Sequence, residues 1–557
     1  MLRTGLAGLL ASVLIATGAA QSHPVYGRQG MAVAVDPTAA SVGANILRQG
    51  GNAYDAAAAM GFALAVTYPQ AGNLGGGGFA VCLSADGATS TLDFREKAPG
   101  KASKDMFLDA EGNVVPRRSL DTHLAAGVPG SVDGLLTLHA RFGRLPRAQV
   151  LAPAIALASD GFPVSKELAD SLRSAQKRLA SHPGSLRAFY PNGAPPAFGS
   201  ILRQPDLAKT LRLVSDKGRA GFYEGETADL IVAEMGRGQG LIDHDDLRAY
   251  RSKWREPFVT DAGGYRLVSM PLPSSGGVTI AQILGMLDLE EIRAFGPGSS
   301  RSIQQLTEAE RLAYADRNHF LGDSDFVEVP LKRLVSPEYL AERRKQMPKE
   351  RAGNSAGVAH GDAESTETTH YTVADADGNV VAITTTLNGS YGMGAAVEGA
   401  GFLLNNEMDD FTSKPGVPNL YGLVQSSANE IVPGKRMLSS MTPTIVLKDG
   451  KFFMTVGSPG GSTIITTVLQ VFLNMAVHGM NIRDAIDAGR AHHQWLPDEI
   501  SYERNFLAPD VVEALKAMGY KMAPTGSIGI AAGIERLADG TLAGWCDRRS
   551  GGAAVGY

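Results

Sequence analysis

The sequence predicts an α+β fold, and three observations point there. Residues 130–320 are richer in helix-period patterning. From Thr368 onward, short alternating segments separated by Asp/Gly turns read as strands. Residues 79–94 read as an earlier hairpin around Ala85-Asp86-Gly87. A chain of 557 residues suffices for two ordinary domains or one large layered one. Its 44% hydrophobic and 20% charged residues are globular composition, and a net charge of -5 gives no basic surface for nucleic acid. The 66 glycines cluster in runs, which marks tight turns and close backbone approaches.

The chain opens with Arg3, an apolar run from Leu6 to Ala16, and small residues before Gln21. That is the pattern of a secretory signal over 1–20. The run is short for a bilayer span of about 20 apolar residues, and no later segment is apolar enough to span. An exported mature chain without a membrane span is therefore expected. Cys82 alternates with Phe79, Val81 and Leu83, so it reads as a buried strand residue; it and Cys546 are expected as free thiols. The 11 histidines show no metal-ligand spacing, and no metal is expected. The adjacent His492 and His493 read as structural residues on a helix.

Asp36-Pro37 opens a helix with a capping oxygen followed by proline in the first turn. Val42, Ile46 and Leu47 form its apolar face, and Gly50-Gly51 ends it. Asn52 caps a second helix, with Asp55 in the first turn facing the helix dipole. Ala56 to Ala59 make this helix thin enough to pack closely, and it ends before Pro69. The run Gly75 to Gly78 leads into the 79–94 hairpin. A further helix covers Gln304 to Phe320, with Leu306, Ala309, Leu312, Ala313 and Phe320 on its apolar stripe. Residues 345–367 turn polar and read as an exposed linker.

Beyond the linker, Thr368 heads a strand, Asp375 to Asn379 turns the chain, and Val380 to Thr384 returns it. Thr386 follows Thr368 by 18 positions, so a hairpin brings the two together. Strands over Thr444–Leu447 and Phe452–Val456 flank Lys448-Asp449-Gly450. Gly457-Ser458-Pro459-Gly460-Gly461 then leads into an apolar helix, Ile464 to Ala476. A threonine hydroxyl is a poor nucleophile unless a base adjoins it, and a threonine at a chain N-terminus carries that base as its own α-amine. Taken alone, a Thr-Thr pair heading a strand is an ordinary β-former, and Thr366 and Thr369 compete with Thr368 for the assignment.

What distinguishes Thr368 is its company. Gly50-Gly51-Asn52-Ala53 with Asp55, the glycine run before Phe79, Asp93-Phe94-Arg95-Glu96, Thr368-Thr369-His370-Tyr371, Leu403-Leu404-Asn405-Asn406 with Met408-Asp409-Asp410-Phe411, Leu438-Ser439-Ser440-Met441, Gly457-Ser458-Pro459-Gly460-Gly461 and Gly556-Tyr557 occur in order. Together they resemble the γ-glutamyltransferases, members of the N-terminal-nucleophile hydrolases. The resemblance implies an αββα four-layer sandwich. It also implies a proenzyme that cuts itself between Glu367 and Thr368 into a large subunit (21–367) and a small subunit (368–557) that stay together.

The resemblance assigns roles. Thr368 is the nucleophile, Thr386 bonds it, and Asn388 helps position the site. Arg95 suits the α-carboxylate of a γ-glutamyl group as a planar fork, and Ser439 and Ser440 add hydroxyl donors. Glu407 and Asp410 accept from the α-ammonium, and Gly460 and Gly461 give N–H groups to the oxyanion. Tyr421 to Met437 resembles a lid. Substrates are glutathione and related γ-glutamyl compounds, with water, amino acids or dipeptides as acceptors; no cofactor is needed. Taken singly, Arg95 is also consistent with a salt bridge to Glu96 or Asp93, and Glu407, Asp409 and Asp410 with a solvated acidic turn. The alternatives are a cephalosporin-type acylase on the same fold and a non-catalytic exported binding protein that remains one chain.

Overall fold

A computed structural model describes residues 23–355 and 368–557. Fourteen strands build its two large sheets: β1 (Val25–Gly27), β2 (Gly30–Ala34), β3 (Gly77–Leu83), β4 (Thr89–Asp93), β5 (Lys253–Arg255), β6 (Phe258–Ala262), β7 (Tyr265–Ser269), β8 (Thr368–Asp375), β9 (Val380–Thr386), β10 (Thr444–Lys448), β11 (Lys451–Gly457), β12 (Ala532–Arg536), β13 (Leu542–Cys546) and β14 (Ala553–Gly556). One seven-stranded sheet runs β14-β2-β8-β9-β3-β4-β5, and the other runs β1-β13-β12-β11-β10-β7-β6. The sheets stack face to face, β2 and β8 of the first meeting β11 to β13 of the second. Helices cover both outer faces. Helices α1 (Pro37–Arg48) and α2 (Ala53–Thr67) lie on the first sheet. Helices α3 (Gly276–Met286) and α5 (Thr463–Ala476) lie on the second, with α4 (Ser300–Phe320) packed on α3.

Local chemistry fixes these elements. Asp36 accepts from the Ala39 N–H at 2.8 Å to start α1. Asn52 and Asp55 form a reciprocal capping box at the start of α2. Every residue of α2 is buried, so its alanines set how closely it approaches the sheet. At Gly61 a Cβ would lie 2.6 Å from the Tyr371 hydroxyl oxygen, which explains glycine inside a helix there. The Ala53 N–H donates to Asp375 at 2.9 Å, tying α2 to the β8–β9 turn.

The β8–β9 hairpin has the register expected, with Thr368 opposite Thr386. Side chains alternate across a strand, so Thr368, His370 and Thr372 share a face. Thr372 bonds Thr455 of β11 at 3.2 Å, and the His370 ring covers Gly457, where a Cβ would come within 2.2 Å of it. That face therefore lies between the sheets.

Several expectations need correction. The stretch 130–320 is rich in helix as expected, α3 and α4 included, but it also contains β5, β6 and β7. His492 sits on a short strand, Ala491–His492, paired with Ile500–Glu503, because the chain extends there to align with Tyr502. Its ring nitrogens bond Thr466 (2.8 Å) and Gln494 (2.9 Å), a structural role. In the expected linker, residues 346–355 lack regular structure and are exposed or half-buried, except that Ser355 is buried. Asp498 accepts its N–H at 2.9 Å and Arg311 donates to its hydroxyl at 2.6 Å. The signal over 1–20, Thr366 and the Glu367 side of the expected cut lie outside the described residues. Cys82 and Cys546 are both buried free thiols. No helix among the described residues is long and apolar enough to cross a membrane.

Candidate active site

The site forms where β8 begins and β9 ends. Thr368 is 3% exposed, and its hydroxyl bonds that of Thr386 at 3.4 Å. The Thr386 hydroxyl also accepts the Asn388 N–H at 2.7 Å. Asn388 takes a left-handed conformation (φ 73°), a turn that asparagine tolerates. Its side-chain amide donates to the Asn406 carbonyl at 3.0 Å, which joins the end of β9 to the loop carrying Glu407 and Asp410.

That loop makes one 3₁₀ turn, Glu407–Asp410, and buries all four residues. The acidic turn is thus not solvated. Arg95, directly after β4, meets it with a guanidinium 1% exposed. Arg95 pairs with Glu407 at 2.6 Å, with Asp410 through a short charge-assisted bond, and with Glu96 at 3.5 Å. Asp93 is engaged elsewhere, by Arg255 at 2.8 Å and Arg436 at 3.2 Å. Three buried carboxylates thus share one guanidinium. Burial raises the pKa of Glu96, Glu407 and Asp410 above the usual carboxylate range, and Arg95 opposes the rise. An arriving cation favours the ionised form of these carboxyls, so the arrangement is suited to receive one.

The opposite wall is the Leu438–Met441 segment. The Ser439 N–H donates to the Pro273 carbonyl at 2.8 Å, and its own carbonyl accepts from Ser275 N–H and hydroxyl at 2.8 and 2.7 Å. These bonds fix both serines over the cleft. Gly460 and Gly461 precede α5 with φ of 140° and 54°, values that favour glycine. A Cβ at Gly461 would sit 2.4 Å from the Tyr421 ring. Tyr421 closes the site by donating its hydroxyl to the Asn388 carbonyl at 2.7 Å. Asp409 anchors the same loop by accepting from the Leu420 N–H at 2.9 Å and the Ser119 hydroxyl at 2.6 Å, while burial pushes its carboxyl up to about 7.

These parts line one cleft. Thr368, Thr386, Asn388, Arg95, Glu407, Asp410, Ser439, Ser440 and Gly461 all line it. Gly460 is set back, its carbonyl accepting from the Thr463 N–H at 3.0 Å. A nucleophile candidate, an acidic wall and a hydroxyl wall thus converge, as a small zwitterionic acyl donor requires. The gamma-glutamyltranspeptidase family model matches residues 39–557. This chain belongs to that family.

Among gamma-glutamyltranspeptidase relatives, the glutathione hydrolase proenzyme of Escherichia coli (strain K12) is 48% identical over 95% of this chain and 92% of its own length. Solved structures are similar too. The cephalosporin acylase of Bacillus halodurans superposes with a TM-score of 0.86 at 27% identity, covering 97% of this chain and 98% of that one. The Helicobacter pylori gamma-glutamyltranspeptidase gives 0.56 at 43% identity, covering 57% of this chain and 91% of its own.

Sequence reasoning missed one charged residue of this gamma-glutamyltranspeptidase cleft. Arg317, on α4, lines it with a side chain 1% exposed. The signal was available: position 317 continues the stripe of Ala309 and Ala313 toward Phe320, so a charge there sits where an apolar residue belongs.

Proposed function

We propose that this chain is a glutathione hydrolase and γ-glutamyltransferase that matures by cutting itself between Glu367 and Thr368. The observation that carries the reading is the placement of Thr368, which heads a central strand beside Thr386 and opens onto a cleft with walls for both charges of a γ-glutamyl head. In the precursor, the Thr368 hydroxyl attacks the Glu367 carbonyl and water hydrolyses the resulting ester. The product is an αββα assembly of two subunits, spanning 21–367 and 368–557, with a free α-amine on Thr368.

That amine has an unperturbed pKa of about 7.7, near working pH, as a general base needs. It takes the hydroxyl proton as the oxygen attacks the γ-carbonyl, and it returns a proton to the departing amine. The Gly460 and Gly461 N–H groups receive the oxyanion, and the start of α5 adds positive potential. Water resolves the γ-glutamyl ester to glutamate and restores the hydroxyl. An amino acid or dipeptide resolves it to a new γ-glutamyl amide. Ser439 and Ser440 donate to the α-carboxylate, and Glu407 and Asp410 receive the α-ammonium.

The likeness to a cephalosporin acylase makes acylase activity the rival reading. The acidic wall favours the glutamyl donor, because a glutaryl group brings no ammonium to offset Glu407 and Asp410. Release of p-nitroaniline from the γ-glutamyl anilide well above the glutaryl anilide is expected, and the reverse ranking sinks this choice. N-terminal sequencing of the smaller fragment is expected to begin at Thr368. Thr368→Ala is expected to leave a single inactive chain, and scission persisting in it would overturn the mechanism. Export through the 1–20 signal belongs to the same proposal and is read by the presence of the processed pair outside the cytoplasm.

A further inference from the structure

One side chain behind the cleft lining ties two of the cleft's walls together. Gln494 lies two residues beyond the strand Ala491–His492 and is buried. Its Nε2 donates to the Tyr421 carbonyl at 2.9 Å, and its Oε1 accepts from the Ser462 hydroxyl at 2.6 Å. Ser462 directly follows Gly460-Gly461, and its carbonyl accepts from the Tyr314 hydroxyl of α4 at 2.5 Å. One amide therefore bridges the segment that carries Tyr421 and the turn that opens α5.

The direction of this bridge is fixed. A carbonyl only accepts, so the amide nitrogen must face Tyr421 and the oxygen must face Ser462 and His492. His492 Nε2 lies 2.9 Å from that oxygen and so carries the ring proton. Its Nδ1 is then left to accept from the Thr466 hydroxyl of α5 at 2.8 Å, the shorter of that hydroxyl's contacts. Burial pushes the His492 pKa down to about 4, which keeps the ring neutral and in this tautomer at neutral pH. Tyr421 is thus held at both ends, its backbone by Gln494 and its hydroxyl by the Asn388 carbonyl at 2.7 Å. Between these ends its ring lies against Gly461, where a Cβ would come within 2.4 Å of it.

We propose that Gln494 is a positioning residue for the oxyanion turn: by fixing Ser462 and the Tyr421 backbone to each other, it holds the Gly461 N–H in its aim at the developing charge. This rests on the γ-glutamyl reading above. Gln494 does not line the cleft, so it acts on the chemical step and not on recognition of the donor. An oxyanion donor works because it is preorganised. A misplacement of about 1 Å at a reacting centre costs on the order of 100-fold in rate.

The test uses the processed enzyme, its Gln494→Met, Ser462→Ala and Tyr421→Phe variants, and the Gln494→Met, Tyr421→Phe double variant. Gln494→Met keeps the length of the side chain and removes both polar ends. The readouts are kcat and KM for γ-glutamyl-p-nitroanilide, with kcat taken per processed enzyme. In Gln494→Met, kcat is expected to fall by about 10- to 100-fold while KM stays within about threefold. Ser462→Ala, which cuts one of the two arms, is expected to lower kcat alone by a smaller factor. Gln494 and the Tyr421 hydroxyl hold the same ring, so the double variant is expected to lose less kcat than the product of the two single losses. A general loosening of the fold would instead give that product. Unchanged kcat, a loss confined to KM, or multiplicative losses in the double variant each overturn the proposal. Should Gln494→Met fail to mature, the same cycle is read with Ser462→Ala and Tyr421→Phe, and unchanged kcat or multiplicative losses there overturn the proposal as well. A wild-type enzyme that is processed yet leaves the γ-glutamyl anilide intact would instead defeat the functional reading itself.

Discussion

Asp410 occupies the point where fold and ligand compete for the same charge. Its carboxylate holds Arg95 and also accepts from Asn419 at 3.3 Å, while burial raises its pKa. An arriving ammonium favours the ionised form, so donor binding draws Asp410 and Glu407 toward the charged state. Asp410→Asn keeps the shape and removes the charge. KM for γ-glutamyl-p-nitroanilide is expected to rise by about 10- to 100-fold, the range for one charged hydrogen bond. Scission at Thr368 should proceed normally, because Asp410 reaches the ligand and not the peptide bond being cut. A gel showing uncut precursor in Asp410→Asn, with unchanged KM in whatever fraction matures, would contradict this division of labour.

The hairpin β8–β9 was legible in the sequence because two short-range rules agree there: a period of two on either side of an Asp/Gly turn, and an 18-residue spacing that returns Thr386 to Thr368. The capped helices α1 and α2 were legible for the same kind of reason, since Asp36, Asn52 and Asp55 act within their own turns. Strands β6 and β7 were not. Strand β6 is a partly exposed edge, and its pairing is decided by β7 rather than by its own pattern. Gly263 and Gly264, with φ of 59° and 83°, were the overlooked hairpin signal. Arg317 was passed over because a charge on a helix reads as solvent-facing, although its place on the Ala309 and Ala313 stripe argued for burial. The local devices invite a local test. Asn52→Ala removes the α2 cap and its bond to the Phe142 carbonyl at 2.7 Å. A loss of about 1 kcal/mol is expected, measurable as a lower denaturation midpoint, with kcat unchanged. A drop in kcat without a drop in stability would show that α2 acts on the site directly.

Each sheet draws strands from both sides of the proposed cut: β8, β9 and β14 interleave with β2 to β5 in one, and β10 to β13 with β1, β6 and β7 in the other. Scission before Thr368 therefore breaks no ladder, and the fragments remain one body. The two sheets in turn meet around His370, whose Nδ1 lies 2.9 Å from the Thr384 hydroxyl and whose Nε2 has no partner among the described residues. Burial depresses its pKa from 6.5 to about 3. Between those values the unfolded chain binds a proton that the folded chain does not. The contribution is complete above about pH 6.5 and is lost as pH falls toward 3, at a slope of up to ~1.4 kcal/mol per pH unit. The measurement belongs in the Thr368→Ala background, where one polypeptide makes unfolding unimolecular. Urea midpoints there are expected to fall from pH 7 to pH 5, and adding His370→Gln should flatten that fall while lowering stability at pH 7. Parallel pH profiles with and without His370 would mean that the contact between the sheets admits the imidazolium, and that the acid sensitivity of the fold arises elsewhere.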